Sequence, residues 1–453
     1  MKPLVIRSAL VASLGGLIFG FDTAVISGAE KQIQSVFQLS DGMLGFTVTT
    51  ALIGTIIGAL VAGQPADKYG RKKALFVIGI LYVVSAIGCA FAPNVLALQI
   101  FRFIGGLGVG ASSVCAPIYT AEVAPPSNRG KLVGLVQFNI VLGILVAYAS
   151  NAVIRSLIDN EHAWRWMLGV MVVPSVVFLL LLFTVPETPR WLMSQGREAE
   201  ARAISERLCM TQEESDVQIS EIAAALADTR NARSVPFFTR GHGKVIWMAI
   251  AIAFFNQMSG INAILYYAPR VMQEAGAAEN TAYLMSVGVG AMNLVATMAA
   301  LTVIDRIGRR KLMIVGSIGY LISLGFLAGV MFYYESVGFD STSSLLVLLG
   351  LMVFIAAHAF GQGSVIWVFI SEIFPNRIRG RGQSLGSLTH WVFAAATSFA
   401  FPPVIGALGG GVAFSIFFIA MVGQLIWVLR VMPETKGVPL EEMEAKLGLA
   451  GVK

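Results

Sequence analysis

The sequence predicts an all-α membrane protein of twelve transmembrane helices in two six-helix halves, with short cytoplasmic helices between the halves. The 453 residues are 56% hydrophobic and only 13% charged, with a mean hydropathy of +0.75, well above water-soluble chains of this length. Apolar runs of roughly 20 residues, enough to span a bilayer as a helix, number twelve. They centre near Ile18, Gly54, Leu81, Gly108, Leu142, Val176, Asn256, Asn293, Leu321, Phe354, Ala394 and Ile419. The runs are too long for barrel strands and lack alternation, which leaves helices as the way to satisfy backbone polar groups in lipid. Motifs flanking the first six runs also return around the last six.

The first run, "LGGLIFGFDTAVISGAE", is read as a retained helix, because "MKPLVIRSAL" lacks a small-residue cleavage site. Between runs, the basic clusters "DKYGRKK", "SNRGK", "DRIGRRK" and "NRIRGRG" all fall on one side, which the positive-inside rule makes cytoplasmic, with both termini. Lys31, Arg155, Arg165 and Arg270 are assigned to outer loops, and Arg102 to the interior of the fourth run. The net charge of +6 is therefore loop topology, with no basic and aromatic face suited to nucleic acid. Cys89, Cys115 and Cys209 suggest neither a disulfide nor a metal framework. From Gln195 to Lys244 the chain becomes charged, and "REAEARAISERL" and "EESDVQISEIAAALADT" have the periodicity of amphipathic helices.

The repeat is explicit. "ADKYGRKKAL" returns as "IDRIGRRKLM" and matches Asp67 to Asp305, "AEVAPPSNRGK" returns as "SEIFPNRIRGR" and matches Glu122 to Glu372, and "VPETPR" returns as "MPETKG" and matches Glu187 to Glu434. Solvated loop charge explains any one cluster, but not three recurring in one order. The boundaries follow: an N-terminal half at 1–190, a cytoplasmic linker at 191–243, a C-terminal half at 244–435 and a tail at 436–453.

Asp22 is an ionisable residue inside an apolar run, where such a group is by default functional and needs a partner. It lies eight residues before Glu30, taken as the outer end of its helix, and Arg102 lies nine residues after Pro93. At about 1.5 Å per residue both are roughly 12–13 Å deep. A fixed pair that anchors two helices is one reading, although desolvation offsets much of its attraction. A proton switch is the other, since separation from Arg102 leaves a desolvated carboxylate that takes up a proton. In the seventh run, Asn256, Gln257 and Asn262 offer the paired donor and acceptor functions that sugar hydroxyls require. Gln257 and Asn262 differ by about 140° on an ideal helix, so one cavity receives both only if the turn at Ser259-Gly260 is distorted. Amides joining helices to one another are the alternative.

From "GFDTAVISG" through "DKYGRKK", "PETPRWL", "NQMSGINAILYYAP", "DRIGRRKL" and "SEIFPNRIRG" to "PETKG", the chain resembles the sugar porter family of the major facilitator superfamily over nearly its whole length. The resemblance implies the major facilitator fold and two halves rocking about a central sugar site. It implies proton coupling through Asp22 and Arg102, because proton-coupled relatives carry Asp in "DTAVISG" where uniporting animal members carry Asn. A second acid that proton-coupled relatives carry in the sixth run is here Met171. It implies sugar contacts from Phe19, Gln137, Asn256, Gln257, Asn262, Asn293, Trp367 and Trp391, with His390 where relatives often have Asn or Gln. Tyr266 and Tyr267 match an outer gate, and His358 matches no functional position. Asp67, Arg71, Glu122, Arg129, Glu187 and Arg190, with Asp305, Arg309, Glu372, Arg379 and Glu434, match a cytoplasmic gating network.

The expected function is proton-coupled import of a hexose or pentose by alternating access in the cell (inner) membrane, by a chain functional as a monomer. A uniporter on the same fold is the alternative; a sugar sensor would favour long cytoplasmic extensions, whereas the chain ends about 20 residues after "PETKG". No nucleophile and base set marks an enzyme, and neither cofactor nor metal is expected.

Overall fold

A computed structural model of the chain describes residues 1–125, 128–231, 236–375, 378–437 and 447. Expectations that touch 126–127 and 376–377 within the repeated motifs, 232–235 of the linker and most of the tail lie outside the described residues. The described secondary structure is helical, with no strand. In chain order the helices are α1 (Pro3–Val36), α2 (Asp41–Val61), α3 (Gly63–Tyr69), α4 (Arg71–Ala90), α5 (Val95–Val123), α6 (Arg129–Leu157), α7 (Ala163–Gly169), α8 (Val172–Leu182), α9 (Pro189–Ser194), α10 (Glu198–Leu208) and α11 (Gln212–Asn231). There follow α12 (Gly243–Met258), α13 (Ile261–Glu274), α14 (Glu279–Ile307), α15 (Arg309–Val337), α16 (Ser341–His358), α17 (Ser364–Ile373) and α18 (Arg379–Arg430).

Among the described residues, eleven helical stretches are long and apolar enough to cross a membrane. One of them, the 52-residue α18, is broken at Gly409 by a left-handed φ of 80° and holds two spans, which makes twelve. Two predicted ends move. Helix α1 runs past Glu30 to Val36, and Lys31, Arg155, Arg165 and Arg270 lie on α1, α6, α7 and α13 rather than in loops. Each stands near an end of its apolar run, where a loop is expected, but the helix continues through it.

Two compact units are present. The first comprises residues 1–23, 53–147 and 165–234. Within it the linker helices α9 to α11 share a small core of Trp191, Leu192, Ala201 and Ile219. The second comprises 24–52, 148–164 and 235–453, and its core includes Ala249, Ile252, Met313, Ile366, Phe369 and Val428. Helices α1, α2 and α6 each pass from one unit to the other along their length, α1 directly after Thr23.

Candidate substrate and coupling site

Within the first unit, Arg102 of α5 donates from Nη1 to Asp22 Oδ1 of α1 at 2.8 Å, and both side chains are buried. The matched depth read from the sequence thus corresponds to a direct contact. Only one carboxylate oxygen meets the guanidinium in this geometry, and Arg102 Nε is buried without a partner. The pair is therefore not the bidentate fork that holds Arg and carboxylate most firmly. Phe19 and Gln137 of the same unit are half-buried.

In the second unit the seventh span breaks where distortion was expected. Helix α12 ends at Met258, Gly260 takes a left-handed φ of 85°, and α13 begins at Ile261. A side chain at Gly260 would be strained by that φ and would drive its Cβ to 2.5 Å from the Phe417 ring. Gln257 Nε2 donates to Asn256 Oδ1 at 2.9 Å and lies 3.2 and 3.3 Å from the two ring nitrogens of His390. The His390 ring sits between Trp367 at 5.2 Å and Trp391 at 4.8 Å, centroid to centroid. Gln257, Asn256, His390, Trp367 and Trp391 thus form one cluster. Gln257 Oε1 and Asn262 Nδ2 are buried without protein partners, one an acceptor and the other a donor. That is the complement of a hydroxyl that can give and take a hydrogen bond. Asn293 of α14 is buried, and Thr297 one turn on donates to its Oδ1 at 3.4 Å.

Of the two tyrosines expected at an outer gate, Tyr267 is fully buried, stacks on Phe401 and donates to Ser398 O at 3.2 Å. Tyr266 is also buried. Tyr320 Oη lies 2.6 Å from His358 Nδ1, which agrees with a packing role for that histidine.

The charged clusters are built twice on one plan. In the first unit Arg71 meets Asp67 at 2.9 Å and Glu122 at 3.1 Å, while Glu187 accepts from the Lys72 backbone N–H at 3.0 Å and Thr188 Oγ1 donates to Glu122 at 2.6 Å. In the second, Arg309 meets Asp305 at 3.0 Å and Glu372 at 2.8 Å, Glu434 accepts from the Arg309 and Arg310 N–H groups, and Thr435 donates to Glu372 at 2.6 Å. The turns before α4 and α15 also match, with Gly70 at φ 107°, ψ 151° and Gly308 at φ 100°, ψ 156°. A Cβ at either position would strike the Glu187 or Glu434 carboxylate, at 2.3 and 2.7 Å, so glycine is required for conformation and for approach. Arg129 and Arg379 reach backbone oxygens of their own halves, at Ala121 and Phe374, and Arg190 lies 4.0 Å from Glu122.

A family profile described as "Sugar (and other) transporter" matches residues 8–447. The chain belongs to the sugar transporter family. Among its relatives are a D-xylose-proton symporter of Escherichia coli, 36% identical with 96% of this chain and 94% of the relative covered, and an arabinose-proton symporter of Bacillus subtilis, 35% identical with 97% and 94% covered. A glucose transporter of Staphylococcus epidermidis is 35% identical, with 97% and 96% covered. The solved inward open conformation of the xylose transporter from E. coli superposes with a TM-score of 0.85 at 34% identity, covering 98% of this chain and 99% of that one.

Two features of this sugar transporter escaped the sequence reading. Gln362 of the π-helical turn at Ala359–Gly363 and Gln424 of α18 are fully buried and join the amide cluster, with Gln362 Nε2 donating to Gln424 Oε1 at 2.6 Å. Single amides in apolar runs have no local pattern; only the π turn, a frequent marker of functional sites, distinguishes Gln362, and it is visible only in the backbone. The second is a buried ion pair of Glu30 and Arg270 at 3.1 Å. The sequence places Glu30 at the outer end of its helix and Arg270 in an outer loop, without pairing them.

Proposed function

We propose that this chain imports a monosaccharide, a hexose or pentose, together with protons by alternating access, as a multi-pass protein of the cell membrane with both termini cytoplasmic. The observation that carries the proton part is the buried Asp22–Arg102 pair with its single-oxygen contact. A carboxylate held by one hydrogen bond to a desolvated arginine can be released by a small displacement, after which its burial favours the protonated form. The unpartnered Gln257 Oε1 and Asn262 Nδ2, beside the indoles around His390, supply the hydroxyl-binding and stacking chemistry of a pyranose site. Proton symport of xylose and arabinose by relatives of 35–36% identity supports the same reading.

In this scheme 1–190 and 244–435 act as the two moving halves, 191–243 links them and 436–453 is a tail. Phe19, Gln137, Asn256, Asn293, Trp367, His390 and Trp391 complete the sugar site, and Tyr266 and Tyr267 close its outer side. The lipid bilayer is the solvent and one chain is the functional unit, with no catalysis. Uptake of D-xylose, L-arabinose and D-glucose into vesicles, with and without an imposed pH gradient, tests the proposal. Accumulation above the outside concentration that depends on the gradient is expected. Equilibration unaffected by the gradient would instead identify a uniporter.

Gln257→Ala is expected to weaken sugar binding by about 1–3 kcal/mol, the cost of leaving a buried hydroxyl unsatisfied. Equilibrium binding to the purified, inserted variant checks this. Unchanged affinity would mean that Gln257 only ties helices together.

A further inference from the structure

We infer that Ser317, Gln424 and Gln362, none of which need touch substrate, fix the polarity of Gln257 and so make the sugar site selective for a hydroxyl that donates at that point. The inference rests on Gln257 being a sugar contact. Ser317 Oγ donates its only hydrogen to Met313 O at 2.7 Å, so toward Gln424 it can offer only a lone pair. Gln424 must then present its NH2 group, and Nε2 donates to Ser317 Oγ at 2.8 Å. That orientation leaves Gln424 Oε1 to accept from Gln362 Nε2 at 2.6 Å. Gln362 Oε1 in turn faces Asn256 Nδ2 at 3.5 Å, and Asn256 Oδ1 accepts from Gln257 Nε2 at 2.9 Å. Both hydrogens of Gln257 Nε2 are then engaged, one by Asn256 and one by the His390 ring, and Oε1 alone remains open. An amide can ordinarily turn over and serve a donor or an acceptor. Here a turn of Gln257 would set NH2 against NH2 or oxygen against oxygen along a fully buried chain, where unpaired polar groups are most costly.

A hydroxyl donates, whereas a fluorine in its place can only accept. Binding of D-glucose, D-xylose and the monofluorinated D-glucose series to the purified transporter reads the difference. In the parent, fluorination at one ring position is expected to weaken binding about tenfold or more, because it leaves the buried Gln257 Oε1 without a donor. In Ser317→Ala and Gln362→Leu the amide is free to turn, and that penalty should shrink to about threefold or less. Binding of the unmodified sugar should fall less than in Gln257→Ala. A merely structural loss would lower affinity for all sugars alike. Retention of the full fluorine penalty in both folded variants overturns the inference. If Gln257→Ala itself leaves affinity and fluorine discrimination as in the parent, it is the assignment of Gln257 to the sugar that fails.

We further infer, from contacts inside the second unit alone, that Glu30 and Arg270 bolt the side remote from the termini. Segments 24–36, 41–52 and 148–157 of α1, α2 and α6 pack in that unit with α13, α14 and α18. Arg270 binds Glu30 and Gln34, Lys31 donates to Gln273 at 2.7 Å, and Arg155 forks onto Glu279 at 2.8 and 3.1 Å. Tyr283 donates to Gly28 O and Tyr148 to Leu265 O, each at 2.6 Å. Only Glu30–Arg270 among these ion pairs is buried on both sides. Opening this side for sugar entry has to separate them. The three native cysteines are buried, and Thr49 of α2, which reaches Ala395 O of α18, is a reporter position. In a cysteine-free background carrying Thr49→Cys, Glu30→Gln and Arg270→Gln are expected to raise labelling of intact cells by an impermeant thiol reagent severalfold. The exchanged pair Glu30→Arg with Arg270→Glu should return it toward the parent. Labelling unchanged in both single variants, or unrelieved by the exchange, overturns the bolt.

Discussion

Asp22→Asn is expected to reduce gradient-driven sugar accumulation to simple equilibration while exchange of sugar across the membrane continues. The substitution keeps the shape of the side chain and an oxygen for Arg102 Nη1, which now sits 2.8 Å from Asp22 Oδ1. What it removes is the one group in this buried pair that can change protonation. With no proton to carry, the outward and inward forms interconvert without reference to the gradient, and a two-state system responds to a ligand only through its differential binding. Arg102 is left without a counter-charge at a site where loss of one partner of a buried pair costs about 3–5 kcal/mol. Protein level and thermal stability in membranes are therefore measured with transport. Counterflow of labelled sugar near the parent rate, together with an accumulation ratio near unity, is the expected pair of results. A variant that still concentrates sugar when a proton gradient is imposed removes Asp22 from coupling.

The shared depth of Asp22 and Arg102 is legible in the sequence because helical rise converts residue number to distance from a span end, even though α1 runs on past Glu30 to Val36. The break at Gly260 was legible for a related reason: two amides five residues apart cannot face one cavity on a continuous helix. The duplicated clusters were legible as motifs, but their hub was not. Arg71 and Arg309 hold the carboxylates, whereas Arg129 and Arg379, from the second repeated motif, bond backbone oxygens. Motif spacing gives no rank among arginines of different clusters; burial and geometry do. Glu30 and Arg270 look like outer charges in the sequence because each falls near an end of its apolar run, and a salt bridge between residues 240 apart in sequence leaves no local trace. Ser317, Gln362 and Gln424 were missed on the same ground: their partners lie on other helices.

Arg309→Ala, and in parallel Arg71→Ala, is expected to lower active transport about tenfold or more with sugar affinity changed less than threefold, a loss of roughly 1.4 kcal/mol or more in the working cycle. Arg309 is almost buried and joins Asp305, Glu372 and the Ile304 carbonyl, so its removal strands Glu372, which Thr435 alone then holds. Asp67 and Asp305 are the exposed members, 74% and 84% accessible, each steered by its arginine. Exposed pairs contribute little singly, but two matched clusters, one before α4 and one before α15, can bias an equilibrium by whatever contacts exist in one state only. If these clusters close the cytoplasmic side while the transporter faces outward, loss of either hub moves the population toward the inward-facing form. Labelling of Thr49→Cys from outside should then fall, opposite in sign to the rise expected for Arg270→Gln. Combining Arg309→Ala with Arg270→Gln should bring labelling back between the two single variants, because both act on one equilibrium and their differential energies oppose. Labelling unaltered by Arg309→Ala and Arg71→Ala, with protein level and insertion matched to the parent, would mean that the clusters brace each half internally and do not set which side is open.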